Sequence, residues 1–146
     1  MEYMRMALQE AQLAAAEGEI PVGAVLVKDG CIVAKAHNRR ETDHDPTAHA
    51  EMLCLRQAAR ALGDWRMKGC TLYVTLEPCP MCAGAMVMSQ LSQCIYGAAD
   101  EKQGCCGSVY DLPGDPALAG TTKWQSGVLV EECGELMSDF FIRRRG

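Results

Sequence analysis

Two short segments of the chain carry residues with the chemistry of a metal centre: His49-Ala50-Glu51 and, after a gap, Pro78-Cys79-Pro80-Met81-Cys82. One imidazole and two cysteines three apart supply three soft ligands to a tetrahedral zinc. They leave the fourth position open, as catalytic rather than structural zinc sites require. Glu51, beside the histidine and not needed as a ligand, is then a candidate proton shuttle. Two other readings stay open on these residues alone. A Cys-x-x-Cys pair in a cytosolic α/β protein can be a redox couple. A structural zinc would need a fourth protein ligand, for which Cys54, Cys105, Cys106, His37 and His44 are the candidates.

The elements that must position these residues follow from periodicity. Met4, Ala7, Leu8, Ala11, Ala14 and Ala15 recur at three-to-four spacing and predict a helix over 4–17, stopped by Gly18. Val22–Val27 and Cys31–Ala36 are β-rich runs joined by the turn signal Lys28-Asp29-Gly30, which predicts a hairpin. After a polar loop over 38–45, Thr47 is a candidate cap for a helix reaching Leu62 and ended by Gly63. Thr71–Leu76 reads as a strand, Pro80–Met88 as a helix opened by proline and Cys94–Ala98 as another strand. Gly127–Val130 reads as a short strand. A last helix follows over 131–144, with Cys133, Leu136, Met137, Phe140 and Phe141 on one stripe. Helices between strands predict a layered α/β domain, its opening hairpin antiparallel and its later strands parallel through helical crossovers. Cys79 and Cys82 then lie in the first turn of one helix, where the positive end of the dipole favours thiolate, and His49 lies early in another. The expected pocket is at the carboxyl ends of the strands. One point resists this picture: on a regular helix His49 and Glu51 would stand about 200° apart.

Composition bounds the rest. A chain of 146 residues, 49% of them hydrophobic, suits one domain with one core, so residues 1–146 are expected to be a single domain. The opening Met1-Glu2-Tyr3-Met4-Arg5 lacks the basic start and apolar stretch of a secretory signal, and no run is apolar enough to span a membrane. A cytoplasmic location is therefore expected. Nine cysteines scattered through apolar context fit thiols and metal ligands better than a disulfide framework, and Cys105-Cys106 fit small apolar residues in a Gly-rich loop. A net charge of −5 argues mildly against nucleic acid. The basic residues are gathered, however, at Arg39-Arg40 and at the terminal Arg143, Arg144 and Arg145.

His49-x-Glu51 with Pro78-Cys79-x-x-Cys82 resembles the zinc-dependent nucleobase deaminases, including their tRNA adenosine deaminase branch. The likeness extends through Glu19-Ile20-Pro21-Val22-Gly23-Ala24-Val25, Asn38-Arg39, Asp45-Pro46-Thr47-Ala48, Leu72-Tyr73-Val74-Thr75-Leu76-Glu77 and Ala83-Gly84-Ala85-Met86. It continues through Gly107-Ser108, Gly127-Val128-Leu129 and Ser138-Asp139-Phe140-Phe141. The resemblance implies a three-layer α/β/α cytidine deaminase-like fold around a mixed five-stranded sheet, assembled as a homodimer. It also implies hydrolytic conversion of adenosine to inosine at the wobble position of a tRNA anticodon loop by zinc-bound hydroxide. By position it makes His49, Cys79 and Cys82 the zinc ligands and Glu51 the proton carrier. Asn38 would bond the target nucleotide, Val22 and Leu76 would wall the pocket, the Ala50 amide would hold the base edge, and Asp100 and Lys102 would flank the nucleotide. An anticodon stem-loop is the implied partner, its phosphates met by the terminal arginines. The chain departs from that branch at Pro80, which is equally familiar in free-guanine deaminases, at Ala99 where arginine is common, and at Cys105-Cys106. A deaminase of guanine or another free nucleobase is accordingly the alternative, with a non-catalytic zinc or redox module behind it.

Overall fold

The computed structural model describes residues 1–145. Its elements in chain order are α1 (Glu2–Ala16), β1 (Gly23–Lys28), β2 (Cys31–His37), α2 (Ala50–Leu62), β3 (Cys70–Leu76), α3 (Pro80–Met88) and β4 (Gln93–Ala98). A 3-10 turn over Pro116–Leu118, β5 (Lys123–Gln125) and α4 (Val130–Arg145) complete it. The five strands form one mixed sheet in the order β2-β1-β3-β4-β5. β1 is antiparallel to both β2 and β3, whereas β3, β4 and β5 are parallel. The expected mixed five-stranded sheet is therefore present. The hairpin closes through Asp29 and Gly30, both at positive φ (51° and 75°), between the paired residues Lys28 and Cys31. Such a two-residue turn matches the strand twist and favours Gly at its second position.

β1 is buried on both faces from Gly23 to Val27, as a strand covered by helices on both sides must be. Alternation divides its side chains. Ala24 and Leu26, with Leu72, Val74, Cys94 and Tyr96, meet Cys54, Leu55 and Ala58 of α2 and Met86 of α3. Val25 and Val27 face Met4, Ala7 and Leu8 of α1 and Cys133 of α4. The result is three layers, α2 and α3 on one face of the sheet and α1 and α4 on the other.

Two boundaries differ from expectation. The fifth strand is Lys123–Gln125 rather than Gly127–Val130. Trp124 stacks on Tyr96 at 6.0 Å, while Val128 and Leu129 join the apolar cluster from a turn in which Gly127 and Leu129 have positive φ. A short apolar run can fill a core from a turn as well as from a strand, and periodicity does not separate the two. Nor does Thr47 cap α2. Its hydroxyl and amide both donate to Asp45 Oδ1, at 2.7 and 2.8 Å, in a turn that postpones the helix to Ala50. Among the described residues no helix is long and apolar enough to cross a membrane.

Candidate active site

The helix that starts late resolves the placement of His49. His49 is the N-cap of α2, in extended conformation (φ −74°, ψ 152°), so it stands outside the helical wheel that would have turned it away from Glu51. Cys79 is likewise the extended N-cap of α3, Pro80 occupies the first helical turn and Cys82 follows within it. α2 follows β2 and α3 follows β3, so both helix starts lie at carboxyl ends of strands, where open α/β sheets place ligands.

There the three side chains converge. His49 Nδ1 is 3.5 Å from both Cys79 Sγ and Cys82 Sγ, and the three ligand atoms lie within 4.8 Å of one another. A tetrahedral zinc with bonds of ~2.0 Å to nitrogen and ~2.3 Å to sulfur separates such atoms by about 3.5 Å, so the donor set has the right elements and spacing. Its charges fit as well. The Cys79 thiol is lowered to about 4 by the hydrogen bond from Cys82, against burial, and further by His49. Cys82 is pushed up by that same hydrogen bond, by burial and by Glu51. The two thiols compete for one negative charge, and a divalent cation would remove the competition. Among the described residues this is the one cluster of its kind, and it includes none of the fourth-ligand candidates Cys54, Cys105, Cys106, His37 or His44. The position opposite the three ligands is thus left open by the protein. His37 is instead held between Glu10 and Glu17 at 3.1 and 2.9 Å, and Cys105 and Cys106 are buried.

Glu51, 3% exposed, stands beside this cluster. Burial raises its carboxyl to about 7, with the Cys79 thiolate adding to the rise, while its own amide, His49 and the Cys82 thiol oppose it. A carboxyl poised near neutrality can both take and return a proton.

His49, Cys79 and Glu51 line a cavity of about 610 Å³, a volume suited to a small ligand, with Cys82 buried behind them. Every other predicted residue of the pocket lies on its wall: Val22, Asn38, Ala50, Leu76, Asp100 and Lys102. The Asn38 amide also bridges backbone, donating to Ile20 O at 3.2 Å and accepting from the Arg40 amide at 3.3 Å. A second cavity of about 430 Å³ opens beside it, with Pro46, Val109 and Tyr110 added to shared residues Arg40, His49, Cys79 and Lys102.

One wall of the cavity is unexpected from the sequence. The spacing predicts Cys133, Leu136, Met137, Phe140 and Phe141 on a single stripe, but α4 presents two. Cys133 and Phe140 are buried and the half-buried Leu136 packs with Cys133 in the sheet-side cluster, while Gly134, Met137, Ser138 and Phe141 line the cavity. The second set has the spacing i, i+3, i+4, i+7 of one helical face, and that spacing was the available signal. Beyond it, Arg143 and Arg144 are exposed and Arg144 lies over the Phe140 ring at 5.4 Å. The side chain of Arg145 is outside the described residues.

Comparison with known proteins agrees with this site. The family model described as the cytidine and deoxycytidylate deaminase zinc-binding region matches residues 1–98. A tRNA-specific adenosine deaminase of Bacillus subtilis is 52% identical over 143 residues, which cover 98% of this chain and 89% of that protein. A structure from studies of A-to-I editing by tRNA:A34 deaminases at the wobble position of transfer RNA superposes with a TM-score of 0.90. It is 41% identical and covers 92% of this chain and 98% of its own. A guanine deaminase structure from Bacillus subtilis, 32% identical, covers 99% of this chain and 93% of its own with a TM-score of 0.66. With three convergent zinc-type donors, a buried carboxyl beside them and likeness over nearly its whole length, the chain belongs to the zinc-dependent cytidine and deoxycytidylate deaminase family, in its tRNA-specific adenosine deaminase branch.

Proposed function

We propose that this protein converts adenosine to inosine, with water consumed and ammonia released, at the wobble position of a tRNA anticodon loop. The observation that carries the chemistry is the convergence of His49 Nδ1 and two cysteine sulfurs at the edge of a cavity lined by His49, Cys79 and the buried Glu51. The substrate rests on the relatives that match the chain over nearly all of its length. His49, Cys79 and Cys82 would hold the zinc, which would supply Lewis-acid activation of water at neutral pH. Glu51 carries two protons in turn: it takes the first from water and delivers it to a ring nitrogen of the base, where it stays, and then takes the second from the attacking oxygen and delivers it to the departing amine, which leaves as ammonia. Ala50 opens α2, so its amide has no intrahelical acceptor and is free for the base edge. Val22 and Leu76 cover the faces of the base, and the remaining capacity of the Asn38 amide serves the nucleotide.

Asp100 and Lys102 flank the nucleotide, and Arg143, Arg144 and Arg145 meet RNA phosphates. An anticodon loop presents bases already partly unstacked, which spares much of a flipping cost of a few kcal/mol. The working unit in this reading is one deaminase domain over residues 1–146, in a cytoplasmic homodimer. Pro80 and the guanine deaminase likeness favour a second reading, deamination of a free base.

One assay separates them. The purified zinc-loaded protein is incubated in parallel with an anticodon stem-loop, guanine and cytidine, and the products are identified. Inosine at the wobble position, with far less product from the same sequence as a duplex, is expected. Rapid conversion of guanine with the stem-loop unmodified at saturation would overturn the proposal.

A further inference from the structure

The wall of the cavity that carries Asp100 and Lys102 is built around a buried carboxylate, that of Glu77, which itself borders the cavity. Glu77 is 2% exposed, directly follows β3 and stands two residues before Cys79. Its Oε1 accepts from the Asp100 amide at 3.0 Å and from the Ser108 hydroxyl; its Oε2 accepts from the amides of Cys106 and Ser108 at 3.0 and 3.1 Å. Residues 100–108 therefore fold around one side chain. Gly104 comes so close that a Cβ there would lie 2.2 Å from the Glu77 carboxyl carbon, a separation no side chain could take. Two backbone bonds complete the unit, Glu77 N–H to Ala98 O and Cys105 N–H to Pro78 O, both 2.9 Å. On the far side of the same loop, Asp100 Oδ1 accepts from the amides of Lys102 and Gln103 at 3.0 and 3.2 Å, and all three residues line the cavity.

Donor chemistry explains why a charge is kept here. Three amides and one hydroxyl are shared between two oxygens, and all four groups donate. A glutamine would turn an amide group toward two of those donors, and an apolar residue would leave four groups without a partner.

We propose that Glu77 is a positioning residue for substrate recognition: by locking residues 100–108 against the Cys79 turn, it holds Asp100 and Lys102 where they meet the bound nucleotide. This rests on the reading that the cavity takes a nucleotide. Because both carboxylate oxygens are engaged by donors of the loop, Glu77 acts through that loop, and its loss should change KM and spare kcat.

The test uses the full zinc-loaded chain as wild type, Glu77→Gln and Ser108→Ala, with an anticodon stem-loop as substrate. It measures KM and kcat, zinc per chain, and hydrogen exchange of residues 100–108. Glu77→Gln is expected to raise KM about tenfold or more while kcat stays within about threefold. Zinc content should be unchanged and exchange in the loop faster, and Ser108→Ala should move each quantity the same way by less. Faster exchange with unchanged KM would overturn the proposal, as would a fall in kcat accompanied by zinc loss. Should Glu77→Gln fail to fold, Ser108→Ala decides on the same criteria. If wild type converts guanine and leaves the stem-loop untouched, the substrate reading has failed, and the role of Glu77 is decided by KM for guanine instead.

Discussion

Glu51 and Glu77 are buried to nearly the same degree, 3% and 2% exposed, yet they sit in opposite surroundings. Glu77 accepts four hydrogen bonds from one loop. Glu51 has only its own amide and the Cys82 thiol, although both glutamates border the same cavity. A buried carboxylate with its lone pairs filled is a strut, because every donor around it would be stranded by its removal. One with few donors costs stability and is kept for what its proton can do. Burial alone does not tell the two apart; the donors do. Glu19, 1% exposed, belongs with Glu77: it accepts from the amides of Glu41 and Thr42 and from the Thr42 hydroxyl, and so holds the loop that carries Asn38 and Arg40 into the cavity.

Three measurements bear on this contrast, and a fourth, on the terminal arginines, is its control. The largest effect is expected from Glu51→Gln, which should lower deamination by at least ~100-fold while zinc is retained. Its free energy of unfolding from a urea titration should stay within about 1 kcal/mol of wild type or rise, since an under-bonded buried carboxyl is removed. A collapse of stability there would place Glu51 among the struts.

Glu77→Ala should do the reverse to the fold and lose about 3–5 kcal/mol by urea unfolding, as four buried donors are left without an acceptor. A loss under about 1 kcal/mol would mean that water replaces the carboxylate and that the contrast is wrong.

Replacing Arg143, Arg144 and Arg145 together by alanine touches neither glutamate. It should weaken stem-loop binding by about tenfold and reduce the slope of log affinity against log salt by about two. An unchanged salt titration would leave the arginines as a solvated end.

The smallest effect is expected at Glu19. Burial pushes its carboxyl up, but hydrogen bonds from the Thr42 hydroxyl and amide and the Glu41 amide, with the charge of Arg39, bring it below the usual value of 4.5. A folded pKa depressed in this way contributes stability above the unfolded value, and that contribution is lost as pH falls through the folded one. Glu19→Gln should therefore cost about 1–2 kcal/mol at pH 7, with the gap to wild type narrowing below about pH 4.5. A gap that does not vary with pH would show that the hydrogen bonds act without the charge.

Local spacing along the chain was sufficient for much of this molecule. The helical stripe of α1, the Asp29-Gly30 hairpin, the proline start of α3 and the choice of His49, Cys79 and Cys82 as candidate metal donors all follow from residue type and interval, because each expresses a periodicity or a donor chemistry that can be read along the chain. Where several distant segments had to meet, spacing was silent. That His49 and Glu51 share a cavity depended on α2 starting at Ala50, a delay set by the Asp45–Thr47 turn. The fifth strand went to Lys123–Gln125 because those residues pair with Gln93–Ile95, although Val128 and Leu129 look more like a strand. α4 divided its apolar residues between the sheet and the cavity because two surfaces competed for them. The role of Glu77 came from donors 23 to 31 residues away. Hydrogen-bond saturation is a property of a folded neighbourhood, and in the sequence Glu51 and Glu77 are the same residue.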